Sequence, residues 1–326
     1  MAGELAPRPA PAAALSALPA RAPMRRERRK LIWGLAFISP WILGFCFFIV
    51  FPLGSSLWYS FTNYDLFQPP HWVGLENYAF MLHDATFWTA IYNTAYLAVF
   101  FVPLNIAFGI GLATLLNARV RGLAFYRTLA YLPTIVPAVA SAILWLWLLN
   151  PNYGVVNLIL GALHVPQPGW LASPVWSKPA YILMSLWASL GNTMLIFLAG
   201  LQGVPQSLYE AADLDGASRL TKFRHITLPM LSPVVFFNLI LGIIASFTYF
   251  TQAFVITDAN RFTGSLGAPL NSALFYSLYL YEAAFSYNAM GYASALAWVL
   301  FIIVLVLALL LFRTARRWVY YETEGR

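Results

Sequence analysis

Long apolar runs separated by short polar breaks dominate this chain. Six of them reach the roughly 20 residues that a helix needs to cross a bilayer core. Helices are expected there because an unpaired backbone group is too costly in hydrocarbon for other open structures. The runs predict membrane-spanning helices near 31–59, 87–115, 127–149, 179–201, 231–257 and 289–312. The third and fourth share one uncharged stretch between Arg127 and Lys178. It is divided by Asn150-Pro151-Asn152-Tyr153-Gly154 and by Pro166, Pro168 and Pro174, all strong helix breakers. A short interfacial helix from Gly154 to Leu163 fills that connection, and Trp170 and Trp176 suit the headgroup zone. The expected fold class is an all-α membrane protein of six transmembrane helices.

One polar island interrupts this pattern. Between Leu201 and Pro233, six charges (Glu210, Asp213, Asp215, Arg219, Lys222 and Arg224) fall within fifteen residues. Pro205 can open a helix, because a proline in the first turn loses no intrahelical hydrogen bond. Leu208, Ala211 and Ala212 then share one face, and Glu210 and Asp213 another. Asp215-Gly216 ends that helix, since glycine tolerates a left-handed turn. Ser218 caps a second short helix in which Leu220, Phe223 and Ile226 recur. Pro229 and Pro233 begin the fifth span. The island is thus a helix-turn-helix with an acidic limb and a basic limb. Physics alone does not choose between a solvated linker, its charges satisfied by spaced neighbours, and a docking surface.

Composition agrees with the pattern. At 60% hydrophobic and 10% charged residues, the 326-residue chain is too apolar for an ordinary soluble domain. A single cysteine, Cys46, excludes an internal disulfide framework and a cysteine-cluster metal site. The net charge of +7 sits at the ends of the apolar runs, where it sets topology rather than recruiting nucleic acid. Seventeen Lys and Arg fall on one side of the six spans, against only Lys178 and Arg261 on the other. Both termini and the polar island are therefore expected in the cytoplasm. The loops near 60–86, 150–178 and 258–288 then face outward. Residues 1–30 read as a disordered basic tail, broken by Pro7, Pro9, Pro11, Pro19 and Pro23 and closed by Arg25, Arg26, Arg28, Arg29 and Lys30. Those basic residues mark the first helix as uncleaved. Residues 31–317 form the membrane domain, with the loop 203–230 inside it, and 318–326 a second cytoplasmic tail.

The spans contain no Asp, Glu, Lys or Arg in their predicted cores, hence no proton relay and no voltage sensor. His71, His83, His164 and His225 all lie in loops without metal-ligand spacing. No glycine-rich loop of the Gly-x-x-x-x-Gly-Lys type cradles a nucleotide. A self-sufficient secondary transporter or channel is disfavoured on these grounds.

The island carries a further signal. Glu210-Ala211-Ala212, then Asp215-Gly216-Ala217, Phe223, Ile226, Leu228-Pro229 and Pro233 resembles, without gaps, the EAA loop of binding-protein-dependent ABC importer permeases. Ser60-Phe61-Thr62-Asn63-Tyr64-Asp65, Pro69-Pro70 and Val73-Gly74-Leu75-Glu76-Asn77-Tyr78 are similar to the first outer loop of the maltose-type and glycerol-phosphate-type carbohydrate permeases. So are Arg127-Thr128, Leu132-Pro133, Trp147, Asn150-Pro151, Gly154, Asn157 and Gly291-Tyr292-Ala293-Ser294-Ala295. The resemblance covers roughly residues 28–317. One departure stands at Thr257-Asp258-Ala259-Asn260-Arg261-Phe262, where relatives commonly carry a Gly-Gly-Pro turn.

The resemblance implies a maltose-permease-like fold in a prokaryotic cytoplasmic membrane and a pore subunit rather than an enzyme. It implies as partners a second homologous permease chain forming a heterodimer, two ABC ATPase subunits, an extracytoplasmic solute-binding protein and membrane lipid, with no nucleic acid. The chain itself would bind no cofactor, ATP and Mg belonging to the partner ATPase. Glu210, Ala211, Ala212, Asp215, Gly216, Ala217, Phe223 and Pro229 would couple to that ATPase. The cargo implied is a sugar or sugar-like polyol, with a non-sugar solute as the alternative. A polar stripe on the fifth helix (Asn238, Ser246, Tyr249 and Gln252) and Ser189 and Asn192 on the fourth are candidate path residues. Small and polar residues are also what membrane helices use to pack together, so both roles stay open at these six positions.

Overall fold

A computed structural model of the chain describes residues 24–118, 121–259, 267 and 269–320. Of the tail expected to be disordered over 1–30, residues 1–23 lie outside the described residues, whereas 24–30 are helical and open the first helix. Residues 321–326 and the Asn260, Arg261 and Phe262 part of the departure also lie outside the described residues. The chain divides into two units, residues 1–55 and 56–326.

α1 (Met24–Phe45) runs through a π-turn at Cys46–Val50 into α2 (Phe51–Tyr59), within which the first unit ends, and the run 28–59 is apolar and long enough to span. Pro40 cannot donate to the carbonyl of Ala36, and the hydroxyl of Ser39 donates to it instead at 2.8 Å.

The second unit is also helical, and one isolated bridge, Thr62 with Trp72, is its only extended pairing among the described residues. It begins with α3 (Glu76–His83) and α4 (Ala85–Leu116), the latter capped by Asp84, whose Oδ1 accepts from the Thr86 amide at 2.8 Å. Next come α5 (Leu123–Ile135), α6 (Ala138–Leu148), α7 (Val155–Ala162) and α8 (Ser177–Gln202). After the polar island, α9 (Gln206–Leu214), α10 (Arg219–Lys222) and α11 (Leu228–Met230) lead into α12 (Ser232–Phe247) and α13 (Thr251–Ala259). The chain closes with α14 (Tyr276–Tyr281) and α15 (Met290–Ala315).

Five runs are long and apolar enough to span: 28–59, α4, α8, α12 with α13, and α15. The expected third span over 127–149 needs correction. It is two limbs, α5 and α6, bent by 96°. The reason is local: Val136 precedes Pro137, whose ring clashes with a helical neighbour, so Val136 turns extended at φ −68° and ψ 125°. Neither limb reaches a bilayer's thickness alone. The interfacial helix expected from Gly154 to Leu163 is present as α7, and Asn157 within it accepts from the Trp170 indole at 2.7 Å.

The spine of the bundle is the α4–α8 pair. Leu97 and Phe101 of α4 share a buried cluster with Tyr181 and Met184 of α8, and Ile110 and Ala113 share a second with Met194 and Phe197. Between the clusters, the Asn105 amide donates to Thr193 Oγ1 at 2.9 Å and its carbonyl accepts from Ser189 at 3.0 Å. At the end of the bundle away from α9, Asn77 donates to the carbonyls of Ser60 and Thr62 at 2.9 Å each, and the Gly291 amide donates to Tyr64 at 2.9 Å. A Cβ on Gly291 would fall 2.0 Å from the Thr62 carbonyl oxygen. Arg127 donates to the carbonyl of Leu116 at 2.9 Å and so closes the C-terminus of α4. The loop residues that carry the family resemblance are thus joints between spans.

Candidate functional site

The polar island folds as its sequence prescribes. Past Leu214, Gly216 takes φ +71°, its amide donates to the Asp213 carbonyl at 3.1 Å, and the Ala217 amide donates to Ala212 at 2.9 Å. These are the paired bonds of a Schellman turn, which satisfy carbonyls orphaned at a helix end. Nothing lies within 4 Å of where a Gly216 Cβ would stand, so glycine is needed there for its backbone conformation and not for space. Ser218 accepts from the Thr221 amide at 3.2 Å and starts the second limb. Lys222 pairs with Asp213 across the turn, and Tyr209 hydrogen-bonds Thr227 at 2.8 Å. Two side-chain links therefore hold the limbs together.

Two details differ from the expected helix-turn-helix. Pro205 sits one residue ahead of α9, at its N-cap. The face turned to the bundle is Tyr209 and Ala212, both half-buried, whereas Leu208 and Ala211 are exposed, because the Tyr209–Thr227 bond sets the helix's rotation. The outward face is then Glu210, Ala211 and Leu214. Asp215 caps α9 and is exposed. Phe223 opens a π-turn, Phe223–Thr227, and packs against the cluster around Ile110 and Leu231, while Pro229 is exposed in α11. At the tip, Leu214 is 91% exposed and Leu220 75%. The island is therefore a braced hook with two bare leucines astride its turn.

The six candidate path residues stand in different surroundings. Asn192 is exposed on α8 and makes no hydrogen bond to the described residues. Ser189 donates to Asn105 at 3.0 Å and to the Ser185 carbonyl at 2.7 Å. Ser246 is buried and donates to the Gly242 carbonyl at 2.8 Å, and Asn238 is buried and donates to Val234 at 2.9 Å. Gly242 between them lies so near Val102 of α4 that a Cβ would stand 3.0 Å away, so this stripe faces a neighbouring helix. Tyr249 occupies the break between α12 and α13. Its ring stands edge-on to Tyr181 and Phe275 at 6.0 and 5.3 Å, and its hydroxyl is buried beside Ser185. Gln252 is half-buried without a hydrogen bond.

Periodicity missed one polar knot. Asp84 accepts from the hydroxyls of Tyr279 and, at 2.9 Å, Tyr292, tying the start of α4 to α14 and α15. Among the described residues no group of three His, Cys, Asp or Glu side chains could hold a metal ion.

Residues 105–318 match the family described as the binding-protein-dependent transport system inner membrane component. A probable ABC transporter permease protein of Bacillus subtilis (strain 168), YesP, is 44% identical over 303 residues, covering 92% of this chain and 96% of its own length. The diacetylchitobiose uptake system permease protein NgcF of Streptomyces coelicolor (strain ATCC BAA-471 / A3(2) / M145) is 34% identical over 311 residues, covering 90% and 86%. A chain in the crystal structure of a bacterial ABC transporter involved in the import of the acidic polysaccharide alginate shares the fold, with a TM-score of 0.73 at 23% identity, over 90% of this chain and 98% of that one. The spans, the hook and these likenesses place the chain in the family of binding-protein-dependent transport system inner membrane components, as a multi-pass permease subunit of an ABC transporter.

Proposed function

We propose that the chain is the pore-forming subunit of an importer for a sugar or sugar-like solute, and that its polar island docks on a separate ATPase subunit. The observation that carries the docking is the hook itself. Leu214 and Leu220 are bare on a loop braced by Lys222–Asp213 and Tyr209–Thr227. An apolar tip ringed by charge suits a protein groove better than open water. Glu210 on the same outward face supplies a carboxylate for the partner's basic or amide groups. ATP and Mg are assigned to that partner, and an extracytoplasmic solute-binding protein delivers the cargo. A second, homologous permease chain completes the pore. The seventeen-to-two basic asymmetry supports a cytoplasmic hook and cytoplasmic termini.

Because the hook is braced, closure of the partner ATPases would displace it as a body rather than bend it. The permease then alternates between two arrangements, and the hook carries the difference in their affinity for the closed ATPase. Sugar as cargo rests on relatives such as the diacetylchitobiose permease. Asn192 is the path residue best supported: an exposed amide without a protein partner is costly against lipid and needs a polar neighbour.

The test is co-expression with the ATPase, binding protein and second permease. Glu210→Lys and Gly216→Asp are expected to lose the co-purified ATPase and sugar uptake together. ATPase retention at wild-type levels with unimpaired uptake in both variants would refute the docking.

A further inference from the structure

The loop-to-span junction contains a proline problem and an unusual solution to it. In Leu228-Pro229-Met230-Leu231-Ser232-Pro233, the helical donor for the Pro229 carbonyl would be the amide of residue 233, which is a proline and has none. Ser232 fills the gap, its hydroxyl donating to the Pro229 carbonyl at 2.6 Å. In the first span Ser39 does the same ahead of Pro40, and nothing more. At Ser232 there is a second bond: its oxygen accepts from the backbone amide of Tyr320 at 2.8 Å.

Tyr320 lies past the end of α15, in a segment that turns back through tight bonds from Arg317 and Trp318 to Thr314 and Ala315. Trp318 and Phe312 flank Phe236, one turn beyond Ser232 on the same face of α12, with ring centroids 6.0 and 5.1 Å away. Both Ser232 and Phe236 are buried. The last span and the segment after it thus grip the point where the hook becomes the fifth span. A serine used only to mend a helix would not need that partner.

We infer that Ser232 is a positioning residue for energy coupling, the joint through which displacement of the hook is passed to α15 as well as to α12. This rests on the hook docking to an ATPase. Without the joint, the hook would still dock, but α12 would move without drawing α15 with it, and part of each ATPase cycle would be idle. Ser232→Ala removes the shared oxygen. Ser232→Thr keeps it. A chain ending at Arg317 removes the gripping segment while leaving the Pro229 repair intact.

The experiment uses the full transporter in proteoliposomes, with its binding protein and a sugar that the protein imports. It measures ATP hydrolysed per sugar imported, co-purified ATPase, and amide exchange over 316–320. Ser232→Ala and the truncated chain are expected to hold the ATPase at wild-type levels while ATP used per sugar rises by about 2- to 30-fold, the range that mutations in a coupling network span. Ser232→Thr is expected to restore the wild-type ratio, and Ser232→Ala to lose exchange protection at Tyr320. An unchanged ratio in Ser232→Ala and in the truncated chain, with ATP-driven import by the wild type, overturns the joint alone. So does unaltered protection at Tyr320 in Ser232→Ala. Wild-type import that needs no ATP overturns the proposed function and the joint together.

Discussion

Lys222 reaches back across the Gly216 turn to pair with Asp213, nine residues earlier, and so closes the hook with one ion pair. Lys222 is mostly covered and Asp213 mostly exposed, so solvent screens the pair and its worth is that of a surface bridge, about 0.2–1 kcal/mol. Its value is in geometry. Asp213→Lys and Lys222→Asp are each expected to lower sugar uptake, and the exchanged pair to recover most of it. A double-mutant cycle on ATPase co-purification, weakening as salt is raised, checks this.

At Gly216 the expectation separates conformation from bulk. Any side chain fits, but a left-handed backbone costs an L-residue about 1–2 kcal/mol. Gly216→Ala is expected to reduce ATPase retention, and Gly216→Asn to reduce it less, because asparagine visits that region more readily. Equal retention by both would show that the turn is not preserved in the complex.

Gly291 should tolerate nothing larger. The Thr62 carbonyl that would meet its Cβ is backbone, held by the Asn77 amide, and has no rotamer through which to retreat. Gly291→Ala is expected to cost about 1–3 kcal/mol or more, seen as a lower melting temperature in detergent with the hook sequence intact.

Asp84 gives a pH signature. Burial raises its pKa, but hydrogen bonds from Tyr279, Tyr292 and Thr86 outweigh that and hold it below the ordinary 3.8. A depressed folded pKa means stability fully present above about pH 4 and lost as pH falls through the lower folded value. Melting temperature should therefore hold steady down to about pH 4 and then drop, and Asp84→Asn should start lower and respond less to acid in that window.

Asn192 and Ser189 lie three residues apart and should behave oppositely. Asn192→Ala is expected to change sugar affinity or selectivity with little effect on melting. Ser189→Ala, which breaks the bond to Asn105, is expected to cost about 0.6 kcal/mol, the usual size of a hydrogen bond between membrane helices, and to leave selectivity alone. Binding measurements and thermal melts on the two variants distinguish them.

Much of this architecture was legible from local signals. A run of apolar residues forces a helix whatever surrounds it, and Gly216 and Ser218 each act through their own backbone or that of close neighbours. What escaped was set by distant partners. The rotation of α9 depends on Tyr209 finding Thr227, and helical spacing alone put Leu208 and Ala211 on the same face as Ala212. The periodic stripe of Asn238, Ser246 and Tyr249 was visible, but spacing does not reveal that Gly242 beds against Val102. Asp84 meets Tyr279 and Tyr292 across separations of 195 and 208 residues, beyond any pattern within one element. The bend at Val136 was readable in principle, since a residue before proline resists the helix, yet the apolar run on both sides outweighed it as a signal.

That bend carries a consequence for solvent. Where α5 stops and α6 restarts, each helix leaves backbone carbonyls or amides without ladder partners. The hydroxyls of Thr134 and Ser141 on either side are buried and unpartnered as well. Acyl chains offer these groups nothing, so lipid cannot be what ultimately covers the elbow. The elbow is therefore the point where the third span most needs water or polar protein beside it.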